Sequence, residues 1–240
     1  MSTDIYTKRH TVLASEADCF RCLKISSLFT IMQEIGIDHT EKMGFGHIKT
    51  LDRGILWIIT HQHAVIHRMP KHLEEITINT WAGPMAHMLF PRYFEFLDNA
   101  GNVLVKSVSL WALMNQEDRH IVNPLEQGII IESAGRSGCL PFPRVPAMAP
   151  TQECFSFTVP FSYLDLNGHM NNARYFDLAE DHIEEAALGH EVKDVSIEYR
   201  GEIKYRQNVN INIGRSENIY TLYGQDQITN QFLFRMRISY

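Results

Sequence analysis

The chain has 240 residues, with 22 Lys plus Arg against 28 Asp plus Glu, for a formal charge of -6. A hydrophobic share of 45% with 21% charged residues suits a globular chain able to bury a core. The acidic balance argues against a general nucleic-acid binder, and no apolar run reaches the ~18–20 residues that a membrane-spanning helix needs. Four cysteines do not make a disulfide framework. Cys19 and Cys22 form a lone CxxC without a second pair at zinc spacing, so reduced, unpaired cysteines in a cytoplasmic setting are expected. The first ten residues lack the apolar stretch of a secretory signal.

In chain order, Tyr6–Leu13 reads as a strand. A helical pattern follows, with Leu28, Ile31/Met32 and Ile35 on one face, fading near residues 42–44. Ile55–Ile66, Glu75–Ala82, Met88–Leu97 and Val103–Met114 are rich in β-branched and aromatic residues and read as strands. Asp98–Asn102 joins the last two as a hairpin turn. Residues 133–150 hold Pro141, Pro143, Pro146 and Pro150 and show no period, as a linker would. This divides the chain into 1–132 and 151–240. The second part repeats the order: strand Phe155–Val159, helix Asn172–Leu188, then Val195–Tyr205, Val209–Gly214, Ile219–Gln225 and Phe232–Tyr240.

Sliding the chain on itself by 147 residues places Thr11-Val12 on Thr158-Val159, Ser15 on Ser162, Asp18 on Asp165 and Phe29 on Phe176. With the shared order of elements, this favours two copies of one unit. Each is a long helix wrapped by a curved antiparallel sheet, so the expected class is α+β, a double hotdog. The copies differ in polarity. Phe20 and Cys22 stand where the second copy has Asn167 and His169, so the chemistry is expected in the second half and apolar volume in the first.

The densest polar cluster is Asp165-Leu-Asn167-Gly-His169-Met-Asn171-Asn172. Asp165, Asn167 and His169 alternate, so an extended backbone would set them on one face. Asn171 and Asn172 fall where the second helix is expected to begin, and its free N–H groups and dipole could receive an oxyanion. With a carboxylate or imidazole to move a proton, this suits acyl transfer to water. The same eight residues also read as a polar turn with Asx bonds and a helix cap. Glu202 alone reads as a surface strand carboxylate.

Together with Glu198-Tyr-Arg-Gly-Glu202, Leu56-Trp57, Asn79-Thr-Trp81-Ala-Gly83 and Ser109-Leu-Trp111-Ala-Leu-Met114-Asn115, the cluster 165–175 resembles the acyl-acyl-carrier-protein thioesterases, plant-type and bacterial, over most of the chain from about Tyr6 onward. The resemblance implies a double hotdog and a site of Asp165, Asn167, His169 and Glu202. Glu202, with His169, would deprotonate a water. Asp165 would orient base or water, or attack directly. Asn167 would fix the water and the acyl carbonyl. Plant members carry a cysteine directly after the glutamate that matches Glu202; here that position is Ile203, which leaves attack by water or a carboxylate. The resemblance also implies an acyl pocket lined by Leu28, Phe29, Met32 and Ile35, although core packing explains the same stripe.

The implied partner is acyl carrier protein bearing a phosphopantetheine-linked acyl chain, with Arg174, Arg200, Lys204 and Arg206 as candidates for its docking face. No metal or other cofactor, nucleic acid or membrane insertion is expected. His61 and His63 are expected to be exposed strand residues. The rivals are an acyl-CoA thioesterase, a non-catalytic acyl-binding hotdog protein and, ranked below them, a hotdog dehydratase. Two fused hotdogs make a monomer feasible, and edge pairing would give a homodimer.

Overall fold

The β-branched and aromatic segments pair as ten strands of one antiparallel sheet, two of whose neighbours come from opposite halves of the chain. A computed structural model describes residues 5–143 and 148–240; Pro146 of the expected linker lies outside them. The first half supplies β1 (Tyr6–Thr11), α1 (Ile25–Lys42), α2 (His47–Leu51), β2 (Ile55–Ile66), β3 (Glu75–Ala82), β4 (Phe90–Leu97) and β5 (Val103–Asn115). The second supplies β6 (Thr151–Thr158), α3 (Arg174–His182), α4 (Glu184–Ala187), β7 (Asp194–Tyr199), β8 (Asn208–Ser216), β9 (Ile219–Asp226) and β10 (Phe232–Ser239).

The sheet order is β1-β3-β4-β5-β2-β7-β10-β9-β8-β6, the same sequence of equivalent strands read outward from the middle. The halves are thus related by a pseudo-dyad, and β2 joins β7 at the seam with His63 opposite Ser196. The helices meet on the same axis, where the rings of Phe29 and Phe176 stack at 3.9 Å between centroids. The apolar stripe of α1 is buried against the sheet in a core cluster that draws on both halves. This is the double hotdog.

Four expectations need correction. The second helix is not continuous over Asn172–Leu188: it starts at Arg174 and breaks at Ile183, whose extended backbone (φ -102, ψ 120) sends its side chain into the core. β4 starts at Phe90 because His87 and Met88 take a left-handed turn. β7 stops at Tyr199: the N–H groups of Arg200 and Gly201 both go to the Leu233 carbonyl, and the chain leaves the sheet. His61 and His63 are half-buried, because β7 brings carboxylates to the seam that are far off in sequence. His63 Nε2 lies 2.8 Å from Asp194 Oδ2 and His61 Nε2 lies 3.9 Å from Glu198 Oε1.

Candidate active site

Asp165 and its neighbours form a closed turn rather than an extended strand. The Asp165 carboxylate Oδ1 accepts the N–H groups of Asn167 at 2.8 Å and His169 at 3.1 Å. The Asp165 N–H donates to the His169 carbonyl, and a Leu164–Met170 bridge shuts the loop. Gly168 at the turn has φ +77, a conformation that costs glycine nothing. An Asx bond is shorter-ranged than a strand ladder, so it wins here.

The first copy builds the same turn from different residues. Asp18 Oδ1 accepts the N–H groups of Phe20 at 2.9 Å and Cys22 at 2.8 Å, with an Ala17–Leu23 bridge behind it. The His169–Lys204 bridge repeats Cys22–Lys71, and the Met170 N–H to Ile203 carbonyl bond repeats Leu23 N–H to Pro70. That register sets Glu202 opposite Met69. One backbone therefore carries Asn167, His169 and Glu202 in the second copy and Phe20, Cys22 and Met69 in the first.

His169 Nε2 lies 3.4 Å from Glu202 Oε2, and the other Glu202 oxygen, Oε1, is 3.3 Å from Arg119 Nη1. Arg119 comes from the turn after β5 in the first half, and nothing in its local sequence marks it for this position. At the foot of α3 the residue before the helix is Ala173 rather than an asparagine. Asn171 serves it from outside: its Oδ1 accepts the Ala173 N–H at 2.9 Å and its carbonyl accepts the Arg174 N–H. The Asn172 carbonyl accepts the Tyr199 hydroxyl at 2.9 Å.

A cavity of about 530 Å³ opens beside this turn. Asp165, Asn167, Asn171 and Asn172 line one wall; His169 and Glu202 are not among its lining residues. The facing wall is α1, through Gln33, Glu34, Gly36, Ile37 and Thr40, and the apolar end is formed by Trp57, Phe90, Trp111 and Ile131. Leu28, Phe29, Met32 and Ile35, read from the sequence as acyl-pocket residues, line none of it. They are at most 2% exposed and belong to the packed core, because a helix inside a sheet turns its apolar stripe to the sheet. The cavity is cut on the other face of α1, by residues the periodicity argument passes over.

Arg92 lines the cavity, is buried, and among the described residues is paired with neutral groups only, His39 Nδ1 and Thr40 Oγ1 at 2.8 Å and Thr80 Oγ1 at 3.5 Å. Burial brings its pKa down to about 10, and burial followed by Arg92's charge brings His39 down to about 4, so the neutral ring accepts a hydrogen bond from the guanidinium N–H. The four basic residues proposed for docking separate. Arg174 pairs with Asp177 and lines a second cavity, Arg200 pairs with Glu198, and Lys204 and Arg206 are exposed without an ion pair among the described residues. Among the described residues no group of three His, Cys, Asp or Glu side chains is arranged to hold a metal. No helix of the described residues is long and apolar enough to cross a membrane.

Residues 3–129 match the family described as the acyl-ACP thioesterase N-terminal domain, and residues 149–239 match its C-terminal domain. The chain is 22% identical over 218 residues to the chloroplastic acyl-[acyl-carrier-protein] hydrolase FATB2 of Cuphea viscosissima, covering 82% of this chain and 52% of that protein. It is 22% identical over 227 residues to the chloroplastic oleoyl-acyl carrier protein thioesterase of Coriandrum sativum, covering 83% and 60%. The chain thus spans about half the length of the curated relatives it matches. Two solved structures share the fold. An acyl-ACP thioesterase from Bacteroides thetaiotaomicron has a TM-score of 0.85 at 18% identity, covering 98% of this chain and 97% of that one. The 12:0-ACP thioesterase from Umbellularia californica has a TM-score of 0.82 at 19% identity, covering 98% and 96%.

Proposed function

The chain belongs to the acyl-ACP thioesterase family, and on that premise we propose that it hydrolyses acyl-acyl carrier protein to free fatty acid and carrier protein. The observation that carries this reading is the unequal pair of turns. The backbone closes identically around Phe20, Cys22 and Met69, so folding does not require Asn167, His169 and Glu202. An amide, an imidazole and a carboxylate kept at these three positions in one copy alone are what hydrolysis needs and what an acyl-binding scaffold does not. The division into an acyl-pocket half (1–132), a linker (133–150) and a catalytic half (151–240) belongs to the same proposal.

In this reading Glu202, supported by His169 and held by Arg119, takes a proton from water. The water oxygen bonds to the thioester carbon, and the carbonyl oxygen takes up the negative charge beside the open Asn172 N–H at the foot of α3. The carbon–sulfur bond then breaks and the leaving thiolate of the phosphopantetheine arm receives the proton. The products are a carboxylic acid and a thiol. Asp165, with one oxygen committed to two N–H groups, holds the turn that presents Asn167. The acyl tail lies toward Trp57, Phe90, Trp111 and Ile131. Lys204 and Arg206, two and four residues beyond Glu202, receive the acidic carrier. A monomer suffices, because the fused pair already buries its helices.

Thiol release from acyl carrier protein and acyl-CoA panels, C8 to C18, tests the proposal. Wild type should release thiol from the carrier-protein panel, and Glu202→Gln should lower kcat by about 10²–10⁴-fold, the usual span for a positioned acid–base group. A preference for the CoA panel would move the substrate to acyl-CoA. Silence on both panels with acyl ligands still bound would leave a binding protein.

A further inference from the structure

The second cavity, about 450 Å³, is the pseudo-dyad mate of the first. It lies between the Asp18 turn and α3, as the first lies between the Asp165 turn and α1. The two differ in how the foot of the facing helix is treated. In the second cavity Glu180, on α3, reaches across the dyad, and its Oε1 accepts the N–H of Ile25, the first residue of α1, at 2.9 Å. It also serves the Ser26 N–H. The foot of α1 is closed by a carboxylate.

The 147-residue register turns Glu180 into Gln33 and Ile25 into Asn172. Gln33 and Asn172 both line the first cavity, and among the described residues neither the Gln33 side chain nor the Asn172 N–H has a hydrogen-bond partner. Gln and Glu have the same length and shape, so the mate pair fixes where the Gln33 head group can reach: the space in front of the Asn172 N–H. A carboxylate there accepts that N–H and repels negative charge. An amide there can turn its NH2 outward as a second donor, and in this structure the Asn172 N–H is left without a partner among the described residues.

We propose that the Gln33 side-chain amide and the Asn172 backbone N–H together form the oxyanion-binding pair for the thioester carbonyl, and that Glu180 in the mate position closes the opposite pole to the same chemistry. The inference rests on the thioesterase reading of the cavity. It assigns a catalytic residue to the first half of the chain, on the helix facing the polar turn. It also makes one amide-to-carboxylate difference a determinant of which pole reacts.

The test compares Gln33→Ala, Gln33→Glu and Glu180→Gln with wild type on the carrier-protein substrate. Loss of one oxyanion donor costs about 10²–10³-fold in kcat. Gln33→Ala should lose at least tenfold, with kcat falling more than KM rises. Gln33→Glu should be tenfold or more below Gln33→Ala at pH 8, because its carboxylate occupies the second donor as well. That extra loss should disappear as the introduced carboxyl protonates. Burial is the first cause that pushes the mate Glu180 up to about 7, and Glu34, Asp165 and Arg92 are the charged groups facing position 33 in the cavity. The ratio of Gln33→Glu to Gln33→Ala activity should therefore climb toward one between pH 8 and pH 5, which cancels any titration common to both. Glu180→Gln, at the other pole, should leave kcat within twofold. An independent readout is the Asn172 amide resonance, which should titrate in Gln33→Glu and stay still over the same range in Gln33→Ala. An active wild type whose Gln33→Glu and Gln33→Ala variants match each other at every pH, or a silent Asn172 resonance in Gln33→Glu, overturns the assignment while hydrolysis stands. A wild type silent on every thioester is the failure of the underlying reading instead.

Discussion

At the scale of single residues, Asp165 illustrates how a site motif can also be structural. Its Oδ1 takes two backbone N–H groups, and Asp18 does the same 147 residues earlier, where Phe20 and Cys22 replace Asn167 and His169. The turn is therefore a property of the fold, and the site was fitted onto it. Each bond contributes about 1 kcal/mol net. Asp18→Ala and Asp165→Ala should each lower stability by roughly 1–3 kcal/mol in denaturant titrations. Only Asp165→Ala should impair hydrolysis, because only its turn carries Asn167 and His169. A comparable activity loss in Asp18→Ala would mean that turnover responds to general loosening rather than to the geometry of one pole. The polar-turn reading and the active-site reading of 165–172, set side by side on sequence, are thus compatible.

At the scale of elements, the sequence shows most of the frame and little of the cavity. β2 and β3 are legible to the residue: β2 has Ile at both ends, and β3 alternates Ile76, Ile78 and Thr80 before Trp81. α1 is legible from its apolar stripe, and the repeat from the 147-residue register. Three features escape. The break at Ile183 follows from a core position that only the folded sheet defines. Arg119 reaches Glu202 across the halves. Gln33 and Glu34 lie on the polar flank of α1, which periodicity assigns to solvent. The register alone pairs Gln33 with Glu180, and that pairing was the available signal. It bears on stability too. Glu180's carboxyl is pushed up to about 7, chiefly by burial, against about 4.3 in an unfolded chain. Between those values the folded state holds a proton that the unfolded state has released, so this group's contribution to stability falls as pH rises through that window. Glu180→Gln keeps an oxygen for the Ile25 N–H and removes the titration. Its Tm should exceed wild type by little at pH 4.5 and by several °C at pH 8, at roughly 2–4 °C per kcal/mol for a chain of this size. A gain that shrinks with rising pH would contradict the assignment.

For the whole molecule, the seam decides whether two copies act as one body. β2 and β7 hydrogen-bond across it, and one core cluster spans both halves. Phe29 and Phe176, equivalent by the repeat, stack on the pseudo-dyad within 7° of parallel and are each at most 1% exposed. Neither half can bury its helix fully without the other, so the two should unfold in one transition. The chain offers a convenient probe, because Trp57, Trp81 and Trp111 all lie in the first half. Phe176→Ala sits in the second half, yet removing it empties space beside Phe29. Either Phe→Ala change should cost about 3–5 kcal/mol. The tryptophan-detected midpoint should fall as far for Phe176→Ala as for Phe29→Ala, and should coincide with the midpoint from far-UV circular dichroism, which reads both halves. The double variant should cost less than the two singles together by about 0.5–1.5 kcal/mol, the stacking already lost in either one. Halves that were independent would leave the tryptophan signal unmoved by Phe176→Ala and split the two probes. A single body keeps α1 and the Asp165 turn in fixed relation, and the cavity between them exists only while that relation holds.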